Sequence, residues 1–237
     1  MLTIWKPERL SRLAKRLCRL RGVTGAAKLL ENESGVSAVE FALVFPVLMT
    51  MGMYGVEVAY MMSVNMEISS LALSVADNAS RLEQTNNSVV TPTVTENDIA
   101  SVMIGVAKEG AGINLQTNGR VILSSLERDS TTGKQYIHWQ RCTGSLTNTS
   151  AYGNQGTLNG LGSTTITGLG AGATKVTAAA NSAVMYAEIF YRYNGLFGNL
   201  FVKPIIMKKE AAFIIRDIRN LGTAGTNPVS GTATYTC

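Results

Sequence analysis

VSAVEFALVFPVLMTMGMYGVEVAYMM, residues 36–62, decides how this 237-residue chain is organised. Its centre, Phe41 to Val56, is sixteen residues without a charge. With Val36–Val39 before Glu40 and Val58–Met62 after Glu57, the run is long enough to cross a bilayer core, which takes ~20 residues at ~1.5 Å each. A cleaved signal peptide is a poorer reading: its apolar region ends within ~15 residues at a small-x-small site, and no such pair directly follows Val56. The other alternative is a buried helix of a soluble core.

Charge orients the span. Residues 1–35 carry eight basic side chains (Lys6, Arg9, Arg12, Lys15, Arg16, Arg19, Arg21 and Lys28) against Glu8, Glu31 and Glu33, whereas residues 36–237 hold thirteen of each sign. The whole net charge of +5 therefore precedes the apolar run. The positive-inside rule leaves residues 1–35 in the cytoplasm and exports the rest. A basic excess confined to one flank of a span also argues against nucleic acid as a partner. At 46% hydrophobic and 16% charged residues, the chain is too apolar to be disordered.

Glu40 is out of place in a plain anchor. An ionisable side chain in a membrane segment is expensive and needs a partner. A cut after Gly35 would make Val36 a new N-terminus, whose ammonium could pair with Glu40 four residues along the helix, within one chain or between neighbours. The alternative is that Glu40 snorkels to the headgroup layer.

ENESGVSAVEFALVFPVL, residues 31–48, resembles the processing region of type IV pilins and of the pseudopilins called TadE and TadF. In that family a basic leader ends in Gly and a membrane prepilin peptidase cuts after it; Glu stands fifth in the mature chain. The resemblance implies these roles for Gly35, Val36 and Glu40; Phe41 stands where many Flp-type sequences have Tyr. It implies a single-pass protein of the bacterial inner membrane with an exported head. Its partners would be the peptidase, other pilins or pseudopilins and the assembly platform of a tight-adherence (Tad/Flp) type IV pilus, serving attachment and biofilm formation. GKQYIHWQRC (133–142) and AEIFYRYNGLFGNLF (187–201) also look like TadE-like blocks.

Past the span the pattern stays helical. Val58, Met61, Met62, Asn65, Met66, Ser69, Ala72, Leu73 and Ala76 predict one stripe, with Glu57, Glu67, Asp77 and Glu83 elsewhere on the surface. The expectation is a helix of about fifty residues, half in the membrane and half in water. Pro46 predicts a kink near Ala42–Pro46, and Gly52, Gly55 and Ala59 offer small surfaces for helix packing.

The division expected is a leader (1–35), a pilin-like helix (36–85) and an exported head (86–237). Residues 86–95 read as a linker, and Thr95 with Asp98 as a helix start before Ile99, Val102, Met103 and Val106. Residues 120–127 and 134–142 flank DSTTG and predict a hairpin. Residues 182–193 predict a third strand after a Gly-rich insertion (144–175) with no family counterpart. Residues 204–222 predict a final helix from Pro204 to Gly222. The fold class expected is α+β: a long helix, then a small antiparallel-sheet head with flanking helices.

Cys18 lies in the leader, so Cys142 and Cys237 are the pair available to an oxidising compartment, where a disulfide is the expected state. One His and two distant Cys do not make a closed metal set. Residues 168–173 spell G-x-G-x-x-A with Glu188 further on, but a dinucleotide site needs a parallel βαβ unit. His138 is expected to be an ordinary strand residue. No cofactor, metal or catalytic role is expected. Two functions stay open: a structural component of a pilus system, or an anchored periplasmic binding domain or enzyme. Gly35 and Glu40 discriminate between them.

Overall fold

The computed structural model describes residues 35–82, 91–155, 161, 165–216, 218–223 and 228–237. The leader up to Ser34, Glu83, the first half of the predicted linker (86–90) and part of the Gly-rich insertion lie outside the described residues. The chain divides into two compact units after Gly55. The described part of the first is the beginning of helix α1, Val36–Ser80, whose 45 residues include Pro46. The second holds the remainder of that helix and everything beyond it.

Within the second unit, α1 buries Val64, Ile68, Leu71, Ala72, Val75, Ala76 and Ala79. This is a three- and four-residue spacing, but on a different face from the predicted stripe. Of that stripe Ala72 and Ala76 are buried in the core and Met61 packs against it, while Met62, Met66 and Leu73 are exposed. Both faces are apolar, so periodicity alone does not choose between them; the Val, Ile and Ala side packs closely against the head. The helix stops at Ser80 because its last carbonyls find partners outside it. Arg219 Nη1 and Nη2 donate to the carbonyls of Ala79 and Ser80 at 3.3 and 2.6 Å, and the Arg216 amide donates to Ser80 at 3.3 Å.

Helix α2, Glu96–Glu109, starts at Thr95 with a capping box: the Asp98 amide donates to Thr95 Oγ1 and the Thr95 amide to Asp98 Oδ2. It buries Ile99, Val102, Met103 and Val106. A 3-10 turn (Gly110–Ile113) and short helix α3 (Leu115–Asn118) lead into the sheet.

Strands β1 (Gly119–Arg128), β2 (Gln135–Thr143), β3 (Ala183–Tyr193) and β4 (Ile205–Ile214) form one antiparallel sheet in the order β2-β1-β3-β4. The β1–β2 turn is closed by Asp129, whose carboxylate accepts from the Thr132 amide and hydroxyl at 2.7 and 2.6 Å. Those bonds hold the Asp129 pKa below its ordinary value. Gly133 supplies the left-handed residue, φ 69°.

The predicted final helix is a strand. Residues 205–214 pair with β3 in unbroken register from Val184↔Ile214 to Tyr193↔Ile205. Without β4, β3 would leave a row of buried backbone groups unpaired, and that need overrides local helix propensity. The β-branched Ile205, Ile206 and Ile214 suit a strand. Lys208 and Glu210, two apart, reach each other on one face of the sheet, as strand spacing allows and helix spacing does not.

One face of the sheet joins α1 and α2 in the main core, through Val121, Leu123, Trp139, Met185, Ala187, Ile189, Tyr191 and Tyr193. The insertion and the residues just after it cover the opposite face: Ile166, Leu169 and Ala178 pack with Leu126, Ile137, Val184 and Tyr186, and Leu146 packs with Ile122, Cys142 and Phe190. A disulfide joins Cys142 of β2 to Cys237. The tail before it is held by hydrogen bonds: the Cys142 amide donates to Tyr235 at 2.8 Å, the Ser230 amide to Val94 at 3.0 Å, and the Glu96 amide to Ser230 at 2.9 Å.

Candidate functional site

Helix α1 begins at Val36, the residue after Gly35. Val36 and Glu40 are both exposed and lie one helical turn apart on the same side. A Cβ added at Gly35 would meet no described atom within 4 Å, so packing gives no reason for glycine there. Phe41 is exposed and its ring stacks on Phe45 at 5.2 Å. Leu43, Val44, Val47, Leu48, Met49 and Met51 are each about half exposed or more. Such a continuous apolar surface is not left to water, and the helix is long and apolar enough to cross a membrane. Pro46, Gly52, Gly55 and Ala59 are exposed as well, and a Cβ at Gly52 or Gly55 would meet no described neighbour.

Glu57 is not on the surface, as its place in the sequence suggested; it is fully buried. Its carboxylate accepts hydrogen bonds from the Tyr193 hydroxyl at 2.6 Å and from the Leu196 and Phe197 amides, both at 3.1 Å. Tyr193 also stacks on Tyr60, with ring centroids 6.1 Å apart. Gly195 makes the approach possible: a Cβ there would lie 2.4 Å from the Gly198 carbonyl oxygen and 3.0 Å from Glu57 Oε1. Gly198, at φ 63°, turns the chain back. The available signal was that Glu57 interrupts the apolar run. A carboxylate there needs donors, and the Leu196 and Phe197 amides of the N-G-L-F-G turn supply two.

Three further buried polar groupings bind elements of the head. Arg141 of β2 reaches Glu96 of α2 with Nε, at 3.0 and 3.2 Å, and with Nη2, and both residues are buried. Removing one side of such a pair leaves a buried charge unmatched. Arg141→Ala is therefore expected to destabilise the head by ~3 to 5 kcal/mol, read as a shifted denaturation midpoint. In an Arg141→Met/Glu96→Leu double variant much of that loss should return. A double variant as unstable as the single one would contradict the account.

His138 is the extra residue of a β-bulge, since Ser125 pairs with Trp139 and Leu126 with Ile137. Its Nδ1 lies 2.7 Å from Glu127 Oε2. Ser125 Oγ donates to Glu127 Oε1 at 2.8 Å, and the Tyr136 hydroxyl donates to Glu127 Oε2 at 3.2 Å and lies 3.4 Å from His138 Nδ1. Burial, then the Glu127 charge, raises the Tyr136 pKa beside it.

On the opposite face Lys208 Nζ bridges Glu188, at 2.9 Å, and Glu210. The insertion joins this group through Ser150 and the Ala151 amide to Glu188, and through Tyr152 to Glu210 at 2.8 Å. Burial pushes the Lys208 pKa down, but the two carboxylates outweigh it and hold it above its ordinary value. For Glu210 burial acts upward and is outweighed by Lys208, Tyr152 and Tyr186, leaving it below its ordinary value. These charges clamp the insertion to the sheet. The G-x-G-x-x-A string lies in that insertion, where Leu169 pairs with Val176, and Glu188 sits in an antiparallel strand. This is not the strand–turn–helix of a dinucleotide site.

The structure thus places Gly35, Val36, Glu40 and Phe41 together at one end of α1 and joins Cys142 to Cys237 elsewhere in the head. Residues 35–77 match the family described as TadE-like protein, which points to a component associated with Tad pilus systems. The two strand blocks lie outside that range. No curated protein and no solved structure gives a significant match.

Proposed function

We propose that this chain is a pseudopilin or minor pilin of a Tad/Flp type IV pilus. A prepilin peptidase cuts it after Gly35, it is held in the inner membrane by α1 with its leader in the cytoplasm and its head exported, and it takes part in pilus assembly for surface attachment. It acts as a structural component and not as an enzyme. Its partners are the peptidase, other pilins and the assembly platform. One observation carries the reading: a glycine that packs against no other described residue stands immediately before the first helical residue, with Glu40 one turn further on, inside the segment that matches the TadE-like family.

Small exposed Gly52, Gly55 and Ala59 let other helices approach α1 closely. The exposed Met62, Met66 and Leu73 lie on the face of α1 turned away from the head core and supply a second apolar surface for subunit packing.

In cells holding the cognate peptidase, N-terminal sequencing of membrane-extracted protein is expected to begin at Val36. Gly35→Arg should leave a slower-migrating precursor in the membrane. Recovery of only full-length wild-type chain under native expression would sink the reading.

A further inference from the structure

The connection between β3 and β4 is unusually apolar for a turn. Leu196 and Leu200 are 50% and 68% exposed, Phe197 and Phe201 stack edge to face at 5.9 Å, and Ile205 and Ile206 continue the exposed apolar surface. Lys203 is the one basic residue among them and is exposed. Among the described residues none of the buried clusters takes in Leu196, Phe197, Leu200, Phe201, Ile205 or Ile206. The buried Glu57 carboxylate fixes where this surface lies, because it binds the loop by the Leu196 and Phe197 amides. Glu57 directly follows Val56, the last residue of the uncharged run, so it lies ~1.5 Å along the helix from the end of that run.

We propose that the loop from Leu196 to Ile206 is a foot that rests in the phospholipid surface where the span leaves the bilayer. The inference rests on the membrane anchoring in the proposed function and goes beyond it.

Three features favour lipid as the occupant. Residues 36–56 already reach the ~20 that a bilayer core takes, so the loop is pinned to the helix at the level where apolar surroundings give way to headgroups. Its composition of Leu and Phe with a lysine is that of interfacial segments, which sink apolar side chains to the headgroup–acyl boundary and leave ammonium groups among phosphates. The Leu196 and Phe197 amides are already bonded to Glu57, so taking this turn out of water does not strand them as unpaired donors. Glu57 is a positioning residue in this account, setting the depth and orientation of the foot.

The test uses the full chain reconstituted in phosphatidylcholine–phosphatidylglycerol vesicles. Leu200→Trp and, independently, Leu196→Trp report on the loop, and Phe45→Trp reports on the span; wild-type protein gives the background of Trp5 and Trp139. The expected result is that each loop tryptophan emits at shorter wavelength than in water, loses most of its emission to bromine-labelled phosphatidylcholine, and is shielded from aqueous iodide. Quenching by iodide and not by bromine, with Phe45→Trp quenched by bromine, would overturn the foot while the anchor stands. Loop tryptophans shielded from both quenchers would also overturn it, because the loop would then be covered by a second copy of the chain. If Phe45→Trp itself is open to iodide, the anchored reading falls, and the foot with it.

Discussion

Replacing Glu40 with alanine or glutamine is expected to abolish surface pili while leaving a cleaved, membrane-inserted subunit. The cut is expected to be recognised mainly at Gly35, and removal of a charge makes the apolar run more apolar, so neither step should suffer. After the cut, Val36 carries an ammonium group one helical turn from Glu40. In an assembly that buries this end of the helix, both charges lose hydration and each is tolerable only through the other. Breaking such a pair costs ~3 to 5 kcal/mol, and the loss recurs at every subunit contact that uses it. Glutamine keeps the shape of the side chain but cannot neutralise an ammonium, so it should fail as alanine does. The readouts are pili by microscopy and attachment to surfaces, scored against mutant protein shown to be processed and inserted. Wild-type piliation and attachment in both variants would make Glu40 a snorkelling residue and remove the main support for the assembly role.

Loss of the Cys142–Cys237 disulfide is the second large effect. The bond closes a loop of 95 residues, and loop-closure entropy for that length corresponds to ~4 to 5 kcal/mol. The affected region is identifiable. Freed of the bond, the tail is still held by hydrogen bonds from the Cys142 amide to the Tyr235 carbonyl, from the Ser230 amide to Val94 and from the Glu96 amide to Ser230, and by the packing of Val229 and Tyr235. Cys142→Ser should lower the denaturation midpoint of the protein or its abundance, and Cys142→Ser/Cys237→Ser should match it, because the cross-link and not a leftover thiol is what matters. Wild-type protein should resist alkylation at both positions until reduced. Complete labelling of both cysteines without reductant would contradict the bridge.

Much of the architecture was legible because local signals and tertiary demand agreed. The hairpin around Asp129 has its turn chemistry written in DSTTG, the Thr95–Asp98 box announces α2, and residues 182–193 are apolar enough to be a buried strand. Three readings differed from the structure, each where a non-local partner decides. Residues 205–214 carry helix-compatible Met, Lys, Glu and Ala, but pair with β3 because its outer backbone row needs them. The α1 stripe was displaced because both of its faces are apolar and only the head selects one. Glu57 reads as a surface acid until Tyr193 and the Gly195 turn, far along the chain, are brought to it. The start of α1 needed no such partner to be placed. Gly35, Val36 and Glu40 are adjacent in sequence and depend on no distant contact.

The two rims of the sheet are unequal. At β2 the tail and the insertion occupy the outside: Cys142 donates to Tyr235, the Gln140 amide to the Gln155 side chain at 2.8 Å, and Gln135 pairs with Ile166. Among the described residues no strand lies beyond β4. An uncovered rim is a template on which foreign or misfolded strands can grow. Ile205 and Ile206 at one end of β4 and Ile214 at the other would welcome such growth, but Lys208, Lys209 and Glu210 break the strand between them. The uncharged stretch on either side is too short for the dry six- or seven-residue zipper that makes strand stacking irreversible. The same charges that clamp the insertion inward thus act outward as gatekeepers against aggregation.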